Sequence, residues 1–261
     1  MQTLSELVTN PFPEKQHWIG GGVLPKDGVM LLGGESKIGK TLLILNILKD
    51  LSDARHDLWN IPGFTIEEPV PTLLIDQETG SYEIRKRAEK LWGGETPAPN
   101  IFYIDKEPIS IDTNRGCDAL SRLIEECDAK VVALDPVSRC IEGGESSNDD
   151  IERLARRLME IRRRFNGLSF ILSHHFGKPP KYDPNNDYDP LDPNNFRGAS
   201  KWVNFPDTIV TIIKTGGKEG LWNLKTGWMF RQGAPRESVD LVVRENYLIE
   251  HLPSRKALRD F

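Results

Sequence analysis

The octet Gly34-Glu35-Ser36-Lys37-Ile38-Gly39-Lys40-Thr41 constrains this chain more than any other feature of it. It satisfies G-x-x-x-x-G-K-[ST] and lies between a short apolar run, Val29-Met30-Leu31-Leu32, and a longer apolar stretch from Thr41 to Leu51. Strand, glycine loop and helix in that order are the setting in which the pattern holds phosphate. The glycines let the backbone curl so that successive N–H groups point inward at anionic oxygens. The helix that follows adds its positive end. Lys40 offers a point charge to the β- and γ-phosphates, and the Thr41 hydroxyl is suited to Mg²⁺. The expected nucleotide-binding segment is therefore Gly34, Glu35, Ser36, Lys37, Ile38, Gly39, Lys40, Thr41 and Leu42, with ATP and Mg²⁺ as cofactors. Lys37 either touches phosphate or is solvated.

The rest of the chain repeats that alternation. Thr72–Asp76, Ile101–Ile104, Val131–Asp135 and Phe170–Ser173 are further short apolar runs. Between them, Ile84/Ala88/Leu91, Leu120/Leu123/Ile124/Cys127 and Ile151/Leu154/Ala155/Leu158/Ile161 keep helical spacing. Ser147 to Asp150 suit the start of the last of these helices. Strands alternating with helices imply crossovers and a mainly parallel sheet, and unbroken apolar runs fit strands covered on both faces. After residue 205, Thr208–Ile213, Leu221–Lys225 and Val239–Val243 follow one another without helices, which predicts an antiparallel C-terminal extension of the same sheet. The expected division is an N-terminal arm (1–24), an α/β ATPase domain (25–245) and a C-terminal tail (246–261).

The 261 residues suit one sizeable α/β domain. No apolar run approaches the roughly 20 residues that span a bilayer, and the N-terminus lacks the basic-then-apolar order of a signal peptide. A cytoplasmic protein without a membrane partner is expected. Cys117, Cys127 and Cys140 are odd in number and form no CxxC pair, so they read as core thiols. A net charge of −5 argues against a nucleic-acid coat protein, though not against a motor that grips nucleic acid through a few loops.

A phosphate loop needs carboxylates at neighbouring strand ends. Asp135 closes Val131-Val132-Ala133-Leu134 and is the natural Mg²⁺ partner beside Thr41. Glu78, in Asp76-Gln77-Glu78, is either the base that activates water or a cap of the next helix. Ser173-His174-His175 closes another strand and either meets the γ-phosphate or is an ordinary polar end. Adjacent histidines on a strand point to opposite faces, which disfavours a shared metal. Arg162-Arg163-Arg164 ends a helix, where cations complement the dipole. Trp59 and Phe64 suit a loop packed on the core. Trp222 and Trp228 suit support of the late strands or a subunit contact better than stacking on a base.

The ordered set GGESKIGKT, LLIDQETG, VVALDPVSR, ILSHHFGK and RGASKWVNFPDTIVTI resembles RecA-like ATPases, and within the RecA/RepA/DnaB/KaiC group it is most similar to RepA-type hexameric replicative helicases. The likeness spans about residues 18–245. It implies a RecA-like core in which Lys40, Glu78, Asp135 and His174 are catalytic, Thr41 and Asp135 serve the metal, and His174 is the γ-phosphate sensor. It also implies a homo-oligomer, a hexameric ring with ATP sites between subunits, in which a neighbour supplies Lys225, Arg231 or Arg197 as a finger. Two loops, about 138–148 and 176–195, would line a channel and touch single-stranded DNA through Arg139, Lys178, Lys181 and Tyr182. The second loop departs from the pattern, because Asp183, Asp187, Asp189 and Asp192 make it acidic where phosphate binding wants cations. Three readings follow: a DNA helicase or translocase of replication, a RecA-like ATPase of recombination or repair, and an ATP-dependent oligomerisation switch.

Overall fold

A computed structural model describes residues 3–9, 16–54, 56–143, 147–177, 188–198, 200–217, 222–231 and 236–253. In chain order its elements are α1 (Leu4–Thr9), β1 (His17–Ile19), β2 (Leu24–Pro25), β3 (Val29–Gly34), α2 (Lys40–Asp53), β4 (Thr72–Asp76), α3 (Ser81–Leu91), β5 (Ile101–Asp105), α4 (Asn114–Cys127), β6 (Val131–Asp135), α5 (Asn148–Arg164), β7 (Ser169–His175), β8 (Thr208–Gly216), β9 (Trp222–Phe230), β10 (Arg236–Val243) and β11 (Ile249–His251). Nine of the strands form one sheet, ordered β11-β10-β9-β8-β3-β7-β6-β4-β5.

The unbroken apolar runs became strands, and three of them are fully buried. Every residue of β3, β4 and β6 is buried, because helices cover both faces of the sheet there. β5 is the edge and is only half-buried. The helices follow their apolar spacing. α5 buries Ile151, Leu154, Leu158 and Ile161, and the Ser147 hydroxyl accepts from Asp150 N at 3.3 Å to cap it. α4 is capped by Thr113, whose hydroxyl accepts from Gly116 N at 3.1 Å. Two hydrophobic cores result. One joins the sheet to α2, α3 and the loop that carries Trp59 and Phe64; the other joins it to α4, α5 and Trp202. Cys117 and Cys140 are buried, Cys127 is partly buried, and all three are free thiols.

The expected antiparallel extension begins one strand later than its sequence suggests. β8 runs parallel to β3, pairing Met30 with Thr208 and Gly34 with Ile212, and only β9, β10 and β11 are antiparallel. The described part of the connection from the end of β7 to the start of β8 contains two 3-10 turns, Pro193–Asn195 and Ser200–Val203, and no α-helix among the described residues. Aromatic packing holds the described part of this crossover: Phe176 and Phe196 meet edge to face at 5.2 Å, and Trp202 is fully buried.

At the N-terminus, residues of the expected arm are part of the body. β1 and β2 pair, Trp18, Ile19, Val23 and Leu24 are buried, and Trp18 Nε1 donates to Gly167 O at 2.7 Å. β11, from the expected tail, pairs with β10. Among the described residues no helix is long and apolar enough to cross a membrane.

Candidate nucleotide site

The loop between β3 and α2 turns on Gly39, whose φ of 105° suits only glycine without strain. Gly39 is also the N-cap of α2 and has no side chain to bond the first helical amides. Those N–H groups are left to a ligand, and the helix dipole favours an anion there. Lys40 is 6% exposed, and its ammonium donates to Gly34 O at 3.0 Å and Glu35 O at 2.8 Å. Burial lowers its pKa to about 8, although Asp135, Glu78 and Glu35 oppose the shift.

Asp135 sits at the end of β6 and is 4% exposed. Burial pushes its carboxyl up; hydroxyls of Ser173 and Thr41 pull it down, Asp76 adds to the rise, and Lys40 opposes it. Ser173 Oγ donates to its Oδ1, while Oδ2 is buried with no hydrogen-bond partner among the described residues. An orphaned carboxylate oxygen beside a threonine hydroxyl fits hydrated Mg²⁺, which takes one or two protein ligands and leaves the rest to phosphates and water. Among the described residues no three His, Cys, Asp or Glu side chains gather to hold a metal alone.

Glu78 is not a helix cap: α3 is capped by Gly80. It is displayed by a turn that Asp76 organises, a role its sequence did not announce. The Asp76 carboxylate accepts from the amides of Glu78 (3.0 Å), Thr79 (2.8 Å) and Gly80 (2.6 Å), and from Tyr103 OH at 3.1 Å. Nor is β4 adjacent to the loop strand, since β7 and β6 lie between.

β7 spans that gap through its second histidine. His175 Nδ1 lies 3.1 Å from Lys40 Nζ, and its Nε2 lies 3.7 Å from Glu78 Oε2. Burial first, then Lys40, lowers the His175 pKa, with Glu78 and Asp135 opposing. His174, the expected sensor, turns to the opposite face. It is fully buried, tilted over Trp202 at 4.2 Å and stacked on Phe196 at 5.7 Å, and its Nε2 lies 2.8 Å from Arg197 O. Strand alternation decides which of two adjacent histidines meets the loop, and alternation is set by register, which two identical neighbours do not reveal.

These groups surround one cavity of about 820 Å³. Its lining includes Ser36, Lys37, Lys40, Thr41, Glu78, Asp135 and His175, together with Glu83, Lys86, Arg87 and Lys90 of α3 and with Trp222 and Tyr247. Trp222, expected to support strands or make a subunit contact, lines the cavity; Trp228 does support the strands, buried against Trp59 and Phe64. Tyr247, Arg87 and Lys90 carry no local motif, and only long-range packing finds them.

The expected finger residues lie apart from this cavity. Lys225 is paired opposite Ile213, level with the loop, and Arg197 N donates to His175 O at 3.0 Å, also at that level. Arg231 is at the other end of the sheet, donating to Asn204 O and Phe205 O at 3.3 Å each. Of the expected DNA contacts, Arg139 lies 3.5 Å from Gln77 O in a turn after β6. Lys178, Lys181 and Tyr182 lie outside the described residues.

The fold is similar to that of a KaiC-like protein from the hyperthermophilic archaeon Pyrococcus horikoshii OT3, with a TM-score of 0.58 at 14% identity, over 93% of this chain and 100% of that one. No curated protein sequence matches the chain. The model of a family described as an AAA domain matches residues 2–181. With a RecA-like α/β sheet and a complete phosphate loop at its centre, the chain belongs to that AAA domain family.

Proposed function

We propose that this chain hydrolyses ATP with Mg²⁺ as a homo-oligomer and couples hydrolysis to movement on single-stranded DNA. The observation that carries the ATPase reading is the convergence of Lys40, Thr41, Asp135, Glu78 and His175 on one cavity at the carboxyl edge of the sheet. Lys40 exchanges the carbonyls of Gly34 and Glu35 for phosphate oxygens. Thr41 and Asp135 hold the metal, which when bound neutralises charge on the β- and γ-phosphates. Glu78 takes the proton of the attacking water. His175 stands between Lys40 and Glu78. Because Nδ1 faces the ammonium and accepts, Nε2 carries the proton toward Glu78, and the ring registers loss of the γ-phosphate through both partners.

DNA coupling is supported by position. The segments after β6 and β7 leave the same edge of the sheet, and Arg139 adjoins the turn that displays Glu78. Lys225 and Arg197, level with the loop, are the proposed fingers for a neighbour's site. A second reading, an ATP-driven assembly switch, is favoured by the aspartates at 183, 187, 189 and 192, which repel phosphate. Steady-state ATP hydrolysis with and without single-stranded DNA over a salt series separates the two. Stimulation that fades with salt is expected of the motor; hydrolysis indifferent to DNA would replace it with the switch. In the same assay Glu78→Gln binds ATP and turns it over at least about 100-fold more slowly, and full turnover would remove the base assignment.

A further inference from the structure

Two aromatic residues of the cavity lining come from the far end of the chain, beside Glu83, Lys86, Arg87 and Lys90 of α3. Trp222 opens β9, and Tyr247 sits in the turn between β10 and β11; with Lys90 they also line an adjoining cavity of about 460 Å³. The Trp222 ring reaches the loop itself, since a β-carbon on Gly39 would lie 3.9 Å from it. Tyr247 is held in the left-handed region, at φ 67°, and its carbonyl accepts from Asn46 Nδ2 at 3.0 Å. The same Nδ2 donates to Leu42 O at 2.9 Å, and Asn46 Oδ1 accepts from Ile249 N at 2.9 Å.

Asn46 is 1% exposed and stands among the leucines and isoleucines of α2, six residues after Lys40. A buried amide inside an apolar helix is costly unless its polar atoms are matched, and here both are. Two of the three partners, Tyr247 O and Ile249 N, lie on the turn that carries Tyr247 and at the start of β11 after it. Asn46 thus ties the helix that begins at the phosphate cradle to the turn that carries Tyr247.

We propose that the nucleobase of the bound triphosphate lies against Trp222 and Tyr247, and that Asn46 is the positioning residue of this pair. The inference rests on the phosphate site proposed above. Flat π surfaces stack on any base, and loss of one such contact weakens binding roughly 5- to 100-fold.

The test is calorimetric titration of the full chain with Mg²⁺-ATP and with Mg²⁺-tripolyphosphate, which has the phosphates without a base. Wild type should prefer ATP. Tyr247→Ala and Trp222→Ala should each lose about 5- to 100-fold for ATP and keep their affinity for tripolyphosphate, while Tyr247→Phe keeps both. Asn46→Ala should lower the ratio of the two affinities with tripolyphosphate unchanged, which a merely structural residue would not do. Wild-type affinity for ATP in both aromatic variants overturns the proposal, and so does parallel loss of both ligands. If wild type binds neither ligand, or Lys40→Ala binds both as wild type does, the phosphate site itself is the reading that fails.

Discussion

Lys40 is a cation kept where its charge is expensive. Two carbonyls and a histidine satisfy the ammonium, but burial still depresses its pKa to about 8. Removing the charge should therefore stabilise the protein in nucleotide-free buffer while destroying its function. Lys40→Met is expected to raise the melting temperature by a few degrees, on the order of 1 kcal/mol, and to abolish the further rise that ATP gives wild type. A lower melting temperature would mean that the carbonyl contacts outweigh desolvation. His174 makes a pH-dependent contribution. Burial lowers its pKa to about 4, so between there and about 6.5 the unfolded chain binds a proton that the folded chain refuses. The stability it contributes is complete above about pH 6.5 and is lost as pH falls toward 4, up to about 3 kcal/mol. His174→Phe should flatten that limb of a denaturant-midpoint-versus-pH curve, and an unchanged slope would assign the acid limb to other groups. Lys40, Thr41 and Asp135 were legible because each sits in a local run whose geometry is its own. The choice between His174 and His175 was not, because it depends on how β7 registers with β3.

Among elements, the crossover from β7 to β8 governs the loop strand most closely. A β-carbon on Gly33 would lie 2.2 Å from Phe196 Cζ and 2.8 Å from Phe176 Cε1. The aromatic pair of this crossover thus presses directly on the residue before the phosphate loop. Gly33→Ala should cost about 1–3 kcal/mol by overpacking. Chemical denaturation measures it, and a cost below about 0.5 kcal/mol would show that the phenylalanines move aside freely. The helices over 114–127 and 148–164 were readable from apolar spacing, and the second also from its capping residues, since both signals are local. The direction of β8 was not, because absence of a helix before a strand normally means a hairpin, and nothing local says that aromatic rings cover the return. The turn that displays Glu78 lay between these cases: Asp76 was visible as a strand end, but its three amide bonds exist only once β4 and α3 are placed.

At the scale of the molecule, the sheet puts the phosphate loop and the proposed fingers Lys225 and Arg197 at one level, with Arg231 at the other end. If sites are shared between subunits, mixing Lys225→Ala or Arg197→Ala chains with Lys40→Ala chains should restore some hydrolysis, because a mixed interface can pair an intact loop with an intact finger. Activity no higher than the sum of the separate variants would make each site self-contained. The sequence pattern reached as far as the α/β core and its loop, and stopped short of the aromatic residues that line the cavity. The hydrogen bond from Asn46 to Tyr247 joins residues 201 positions apart. Contacts of such separation form slowly in folding, since a long stretch of chain must be brought together first. A ribosome that has just released α2 has emitted the phosphate-loop segment but must translate the rest of the sheet before the matching turn exists. On the proposed reading, the nascent protein therefore carries its phosphate-binding segment early and gains its contact with the base last.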